Sequence, residues 1–98
     1  MSEALYERYK DALRRGHVAA VRGRYDVAIE AYGEAAQLAP DRAMPLVGIA
    51  GVLVKLGRDA DALSTYDAAL ERAPADVTAL RGRADLLVKA GDRIAAAS

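Results

Sequence analysis

The chain contains no cysteine, no tryptophan and no phenylalanine, a single histidine, and no excess of either charge. Without cysteine there can be no disulfide, no thiolate zinc site and no cysteine nucleophile. That absence also fits a reducing cytoplasm. The lone His17 has neither a second histidine nor a thiol beside it, so no metal site and no cofactor are expected. Aromatics are limited to five tyrosines in a chain that is 53% hydrophobic, which leaves alanine to do much of the packing. Alanine favours helix and lets helices approach closely, but each one buries little area. Lys plus Arg and Asp plus Glu each total 14, so no global field recruits nucleic acid or an anionic membrane. The same balance does little to prevent self-association. The longest apolar run, Ala43 to Val54 between Arg42 and Lys55, is too short to span a bilayer. The start, Met1 to Arg8, is polar and acidic with no secretory signal, and a soluble cytoplasmic protein is expected.

What the chain does have is a unit of 34 residues. Gly23, Gly57 and Gly91 stand at that spacing, as do Ala28, Ala62 and Ala96. Tyr32 matches Tyr66, Ala35 matches Ala69, and Pro40 matches Pro74. Self-similarity at this period marks a helix–turn–helix solenoid. A first helix is expected over about 3–22, N-capped by Ser2 and carrying Leu5, Tyr9, Ala12, Leu13 and Gly16 at helical spacing. Gly16 inside that pattern implies close contact with the next helix. The second helix is expected from Asp26 to Leu38 with Ala28, Ile29, Tyr32, Ala35 and Ala36 inward, ended by Pro40. Asp41 is expected to cap a third helix that carries Pro45 in its first turn and stops at Gly57. A fourth begins near Asp59 or Asp61, carries Ala62, Leu63, Tyr66, Ala69 and Leu70, and closes at Pro74. Asp76 caps a fifth helix that ends near Ala90 with Gly91 as terminator, and Asp92 to Ser98 begin a sixth.

The stretch Gly23-Arg24-Tyr25-Asp26-Val27-Ala28-Ile29-Glu30-Ala31-Tyr32, completed by Ala35 and Pro40 and repeated from Gly57 to Pro74, resembles the tetratricopeptide repeat family. The resemblance covers nearly the whole chain. It implies an all-α, right-handed solenoid in one domain over 1–98: two full repeats at about 9–42 and 43–76, then a capping helix and a truncated third repeat from 77. It also implies that small residues sit where paired helices cross and that the tyrosine fills the gap between neighbours. Ala12, Arg15 and Ala19, and Arg83 in the third repeat, depart from the large apolar residues usual there. Those faces are expected to be half-exposed.

In the resembling family the first helix of each repeat lines a concave groove that binds protein or peptide. Carried over, the groove residues are Tyr6, Lys10, Leu13, His17 and Val21, then Met44, Val47, Gly48, Gly51, Val54 and Lys55, then Thr78, Arg81, Gly82, Asp85, Val88 and Lys89. The apolar middle wall suits an apolar peptide or amphipathic helix, with Lys55, Arg81 and Lys89 meeting acidic groups at its edge. Two readings stand for the internal glycines: close approach of a ligand, or easier packing inside the solenoid. Domains of this family that grip a chaperone's C-terminal carboxylate use a Lys/Asn/Arg cluster. The matching places here hold Leu13, His17, Gly48, Thr78 and Gly82, so that grip is not expected.

No acid–base pair or activated serine stands out, and Gly48-Ile49-Ala50-Gly51 lies within a helix rather than after a strand, so an enzyme is not expected. Arg14, Arg15, Arg22 and Arg24 with His17 form a local basic cluster that Asp11, Asp26 and Glu30 are placed to offset. At the other end Leu80, Ala84 and Leu87 should face a sixth helix that is nearly missing. The leading function is therefore a scaffold binding peptide or protein. The alternative is a homodimer formed through that edge.

Overall fold

The computed structural model describes residues 1–97, with side chains as far as Ala95. Ser98 and the Ala96 side chain of the repeat pattern lie outside the described residues. Five helices follow one another: α1 (Glu3–Val21), α2 (Tyr25–Leu38), α3 (Met44–Lys55), α4 (Asp59–Arg72) and α5 (Val77–Ala97). No strand occurs among the described residues. Each helix packs on the next, and α1 also approaches α3 while α3 approaches α5. No such approach joins α2 and α4, so the odd-numbered helices form the closer layer and the stack curves towards them. The result is a slab of 54 × 29 × 15 Å. These are stacked antiparallel pairs, the helical solenoid that the 34-residue period implies.

The starts and stops have local causes. Ser2 accepts a hydrogen bond from the Leu5 N–H at 3.1 Å, and Asp76 accepts one from the Ala79 N–H at 2.9 Å. Pro45 sits in the first turn of α3, where its missing N–H leaves nothing unpaired. Asp41 does not cap that helix. The N-cap is Ala43 without a side-chain bond, and Asp41 lies two residues ahead of it, with Arg42 in the place equivalent to Asp76. Gly23 and Gly57 stand at φ 73° and 75°. The Arg24 N–H bonds back to the Ala19 carbonyl and the Arg58 N–H to the Leu53 carbonyl, which closes both helix ends in the same left-handed turn.

Gly91 breaks the pattern. It is helical, and α5 runs through it to Ala97, so neither the terminator at Gly91 nor the sixth-helix stub at Asp92 forms. A stub that short would bury almost nothing against α5. Continuing α5 instead adds a helical hydrogen bond per residue and carries Lys89 and Arg93 to Asp59 on α4.

Alanine fills the core: Ala12, Ala28, Ala35, Ala50, Ala62, Ala69 and Ala79 have no exposed surface. Ala12 and Ala19 are thus buried, not half-exposed, because their small size brings α1 close to its neighbour. Arg15 and Arg83 do face water, held by Glu34 and Asp67 on the adjacent helices. The tyrosines supply the bulk. A β-carbon built on Gly16 would stand 2.6 Å from Tyr32 Cδ1, and one on Gly48 2.6 Å from Tyr32 Cζ. The ring is therefore clamped between α1 and α3. One repeat later Tyr66 packs against Gly82 in the same way, next to buried Ala50. Burial raises the pKa of both phenols, and at Tyr66 the Asp85 charge adds to it.

Candidate functional site

The groove is built on the odd-numbered helices. His17 of α1, Met44, Val47 and Gly48 of α3, and Asp76 and Thr78 at the start of α5 surround one cavity of about 290 Å³. Along α1 it adjoins a hollow that includes Lys10, Leu13 and His17. On the other side it adjoins a smaller one at Val18 and Val21. His17 belongs to all three. Its position is set from below: the Tyr32 hydroxyl hydrogen-bonds His17 Nδ1 at 2.6 Å, with the two rings edge to face at 5.2 Å.

The internal glycines divide between the two readings. Gly48 is a packing residue, because its missing β-carbon makes room for Tyr32, and Gly82 does the same for Tyr66. Gly51, one turn along the same stripe, has nothing within 4 Å of where a β-carbon would stand. It leaves open space. Met44 is more than half exposed, whereas Val47 and Val54 are half-buried against the core.

Several sequence-derived groove residues are not drawn in. Lys89 is turned to Asp59 of α4 at 3.0 Å, so it is not an edge cation of the groove. Lys89 already faces α4 within α5, and the run of α5 past Gly91 adds Arg93 over the same carboxylate, which is only 19% exposed. The Lys89 and Arg93 charges hold Asp59 below the usual carboxylate range. Tyr6 stacks on Tyr9 at the α1 end, with Lys10 4.8 Å and Arg42 5.5 Å from its ring. Lys55, Arg81, Asp85 and Val88 are exposed but line none of these hollows.

Two residues had escaped the sequence reading. Asp76, read only as a helix cap, also lines the central cavity. Arg72 donates from Nη1 to the Ala36 and Arg42 carbonyls at 3.2 Å and to the Ala39 carbonyl at 3.4 Å, tying α4 to the last turn of α2 and the loop after it. Its signal was weak: a cation in the last turn of a helix, which also suits the helix dipole. The basic cluster forms without His17. Its offsetting partners are Asp11 and Glu34, while Asp26 and Glu30 make no ion pair among the described residues. No group of three acidic or histidine side chains able to hold a metal ion occurs among the described residues. No described helix is long and apolar enough to cross a membrane.

The tetratricopeptide repeat family model matches residues 21–86, covering α2, α3 and α4 whole and the first half of α5. The chain belongs to the tetratricopeptide repeat family. Among solved structures this tetratricopeptide chain is similar to the TPR2B domain of yeast Sti1, determined as a complex with pHsp70. The TM-score is 0.81 and the identity 23%, over 92% of this chain and 72% of that one. No curated protein matches. Tetratricopeptide domains bind peptides or proteins and are generally non-enzymatic scaffolds, so this chain is a protein-interaction module.

Proposed function

We propose that this tetratricopeptide module is a scaffold whose α1–α3–α5 face holds a peptide or amphipathic helix. Helices α1–α2 and α3–α4 act as two repeats, and α5 opens a third. The convergence of His17, Met44, Val47, Gly48 and Thr78 on one cavity carries this reading. Met44 and Val47 give the ligand apolar contact, the space at Gly51 admits a side chain or a close backbone, and Lys10 with Lys55 supplies charge at the margins. The pHsp70 partner of the Sti1 domain does not transfer on likeness of fold. Leu13, His17, Gly48, Thr78 and Gly82 offer no cluster of donors for a terminal carboxylate.

A peptide array probed with the chain, then with Gly51→Arg, tests the proposal. A β-carbon at Gly51 meets no neighbour, so helical circular dichroism should be unchanged while array binding is lost. Equal binding by the variant would refute it.

A second reading rests on α5, where Leu80 is 47% and Leu87 45% exposed beside exposed Ala84. These side chains form the contact of a homodimer. Sedimentation at micromolar concentration should then show a dimer that Leu87→Lys dissociates. A strict monomer removes this reading and leaves the groove untouched.

A further inference from the structure

The α1–α2 pair has a second side, away from α3. A cleft of about 340 Å³ runs there between the two helices. Buried Ala19 and Ala31 form its floor, Val18 and Val27, each 44% exposed, give it apolar walls, and Arg14, Arg15, Arg22 and Arg24 stand around it. The internal repeat shows what such a surface does. Thirty-four residues on, the places of Arg14, Arg15, Val18 and Arg22 are taken by Gly48, Ile49, Val52 and Leu56. That stretch of α3 is where α2 is seated: the Tyr32 ring lies on Gly48, and Ile49 and Val52 pack with Tyr32 and Ala28. The surface type is thus one that receives a helix. On the first pair, no described element covers it.

Arginine in place of glycine, isoleucine and leucine changes which helix fits. An apolar helix would strand three guanidinium groups, whereas one with carboxylates flanking a short apolar stripe would pair with them. Two of the arginines are already engaged: Arg14 with Asp11, and Arg15 with Asp11 and Glu34. Arg22 and Arg24 make no ion pair among the described residues, and the one unpaired carboxylate at the cleft is Glu30. The surplus is positive. A second copy stacking head to tail would present α5, where Arg83 is already held by Asp67 and Lys89 with Arg93 by Asp59, leaving Arg81 beside Asp85 and Asp92. That face carries no row of carboxylates flanking an apolar stripe, so an acidic helix of a different protein suits Arg22 and Arg24 better.

We propose that the outer α1–α2 cleft seats an acidic amphipathic helix of a partner protein, held by the apolar walls at Val18 and Val27 and by Arg22 and Arg24 around them. This surface shares Val18 and Arg22 with the hollow at Val21 but includes none of the central cavity at Met44, Val47 and Gly48, and it stands without that cavity. The test uses the isotope-labelled full chain and a synthetic helical peptide with a Leu/Ala stripe and Glu flanks. A counterpart with Lys for every Glu serves as control. Amide shifts should appear at Val18, Arg22 and Val27 but not at Val47, Gly51 or Val54. The Lys peptide should give none, and affinity should fall as salt rises. Arg22→Glu with Arg24→Glu, both on exposed side chains, should weaken binding at least tenfold with unchanged circular dichroism. The proposal is overturned by absence of binding at millimolar Glu peptide, by equal binding of the Lys peptide, or by insensitivity to the charge reversal. It is also overturned if the chain sediments as an assembly that the same double variant dissociates, since the occupant would then be another copy.

Discussion

Tyr32 and Gly48 are packed so closely that a β-carbon on the glycine would stand 2.6 Å from the ring's Cζ. Because Gly16 presses the same ring from α1, the tyrosine cannot step aside. This contact seats the first helix pair on the second. Gly48→Ala should lower stability by about 1 kcal/mol, an overpacking cost partly offset by better helix propensity. Gly51→Ala, with open space around it, should instead raise stability by up to about 1 kcal/mol. Urea unfolding measures both, and opposite shifts of the midpoint at constant slope are expected.

Gly57 and Gly91 hold equivalent places in the repeat but opposite conformations. Gly57→Ala forces a β-carbon into the left-handed region and should cost about 1–2 kcal/mol. Gly91→Ala lies inside continuous helix and should stabilise by about 1 kcal/mol. Thermal unfolding of the pair checks this: the melting temperature falls for the first and rises for the second.

Much of this architecture could be read from the chain, and the failures have physical causes. Gly23, Gly57, Tyr32, Tyr66, Asp76 and Pro45 each do what their local chemistry requires, so the helices and their order followed directly. Gly91 misled because a left-handed turn forms only when the helix beyond it gains packing. Lys89 misled because its charge is drawn to Asp59 on α4, a pairing between helices that spacing along one helix does not show. Asp59 looked like a simple helix-start acid, and only the tertiary structure shows it receiving two cations. Of the groove, the stripes on α1 and α3 were legible from spacing. That Gly48 serves packing while Gly51 stays open required knowing where the Tyr32 ring lies.

The end of α5 should be sensitive to acid. Lys89 and Arg93 hold Asp59 below the usual carboxylate range, so their pairing contributes fully above that range. The contribution disappears as pH falls through the lowered value and Asp59 takes up a proton. Protection of the amides of residues 86–94, taken relative to the intrinsic exchange rate at each pH, should fall in that acid window. Asp59→Asn should show low protection at neutral pH and little further change with acid. Arg15 lowers Asp11 similarly, but Asp11 lies on α1 and leaves this readout unaffected.

Arg72 holds three backbone carbonyls, one in the last turn of α2 and two in the α2–α3 connection. Removing a charged donor from such acceptors costs about 1.5–3 kcal/mol. Arg72→Ala should therefore lower the urea midpoint clearly, and Arg72→Lys, which keeps a charge with several donors on a different stem, should recover part of the loss.

The most direct test of groove binding is an amide-shift map of the labelled chain titrated with the best binder from the peptide array. The expected result is a cluster of shifts at His17, Met44, Val47, Gly51 and Thr78, saturating with one peptide per chain. Shifts confined to the outer helices α2 and α4, or to Leu80 and Leu87 on α5, would contradict it.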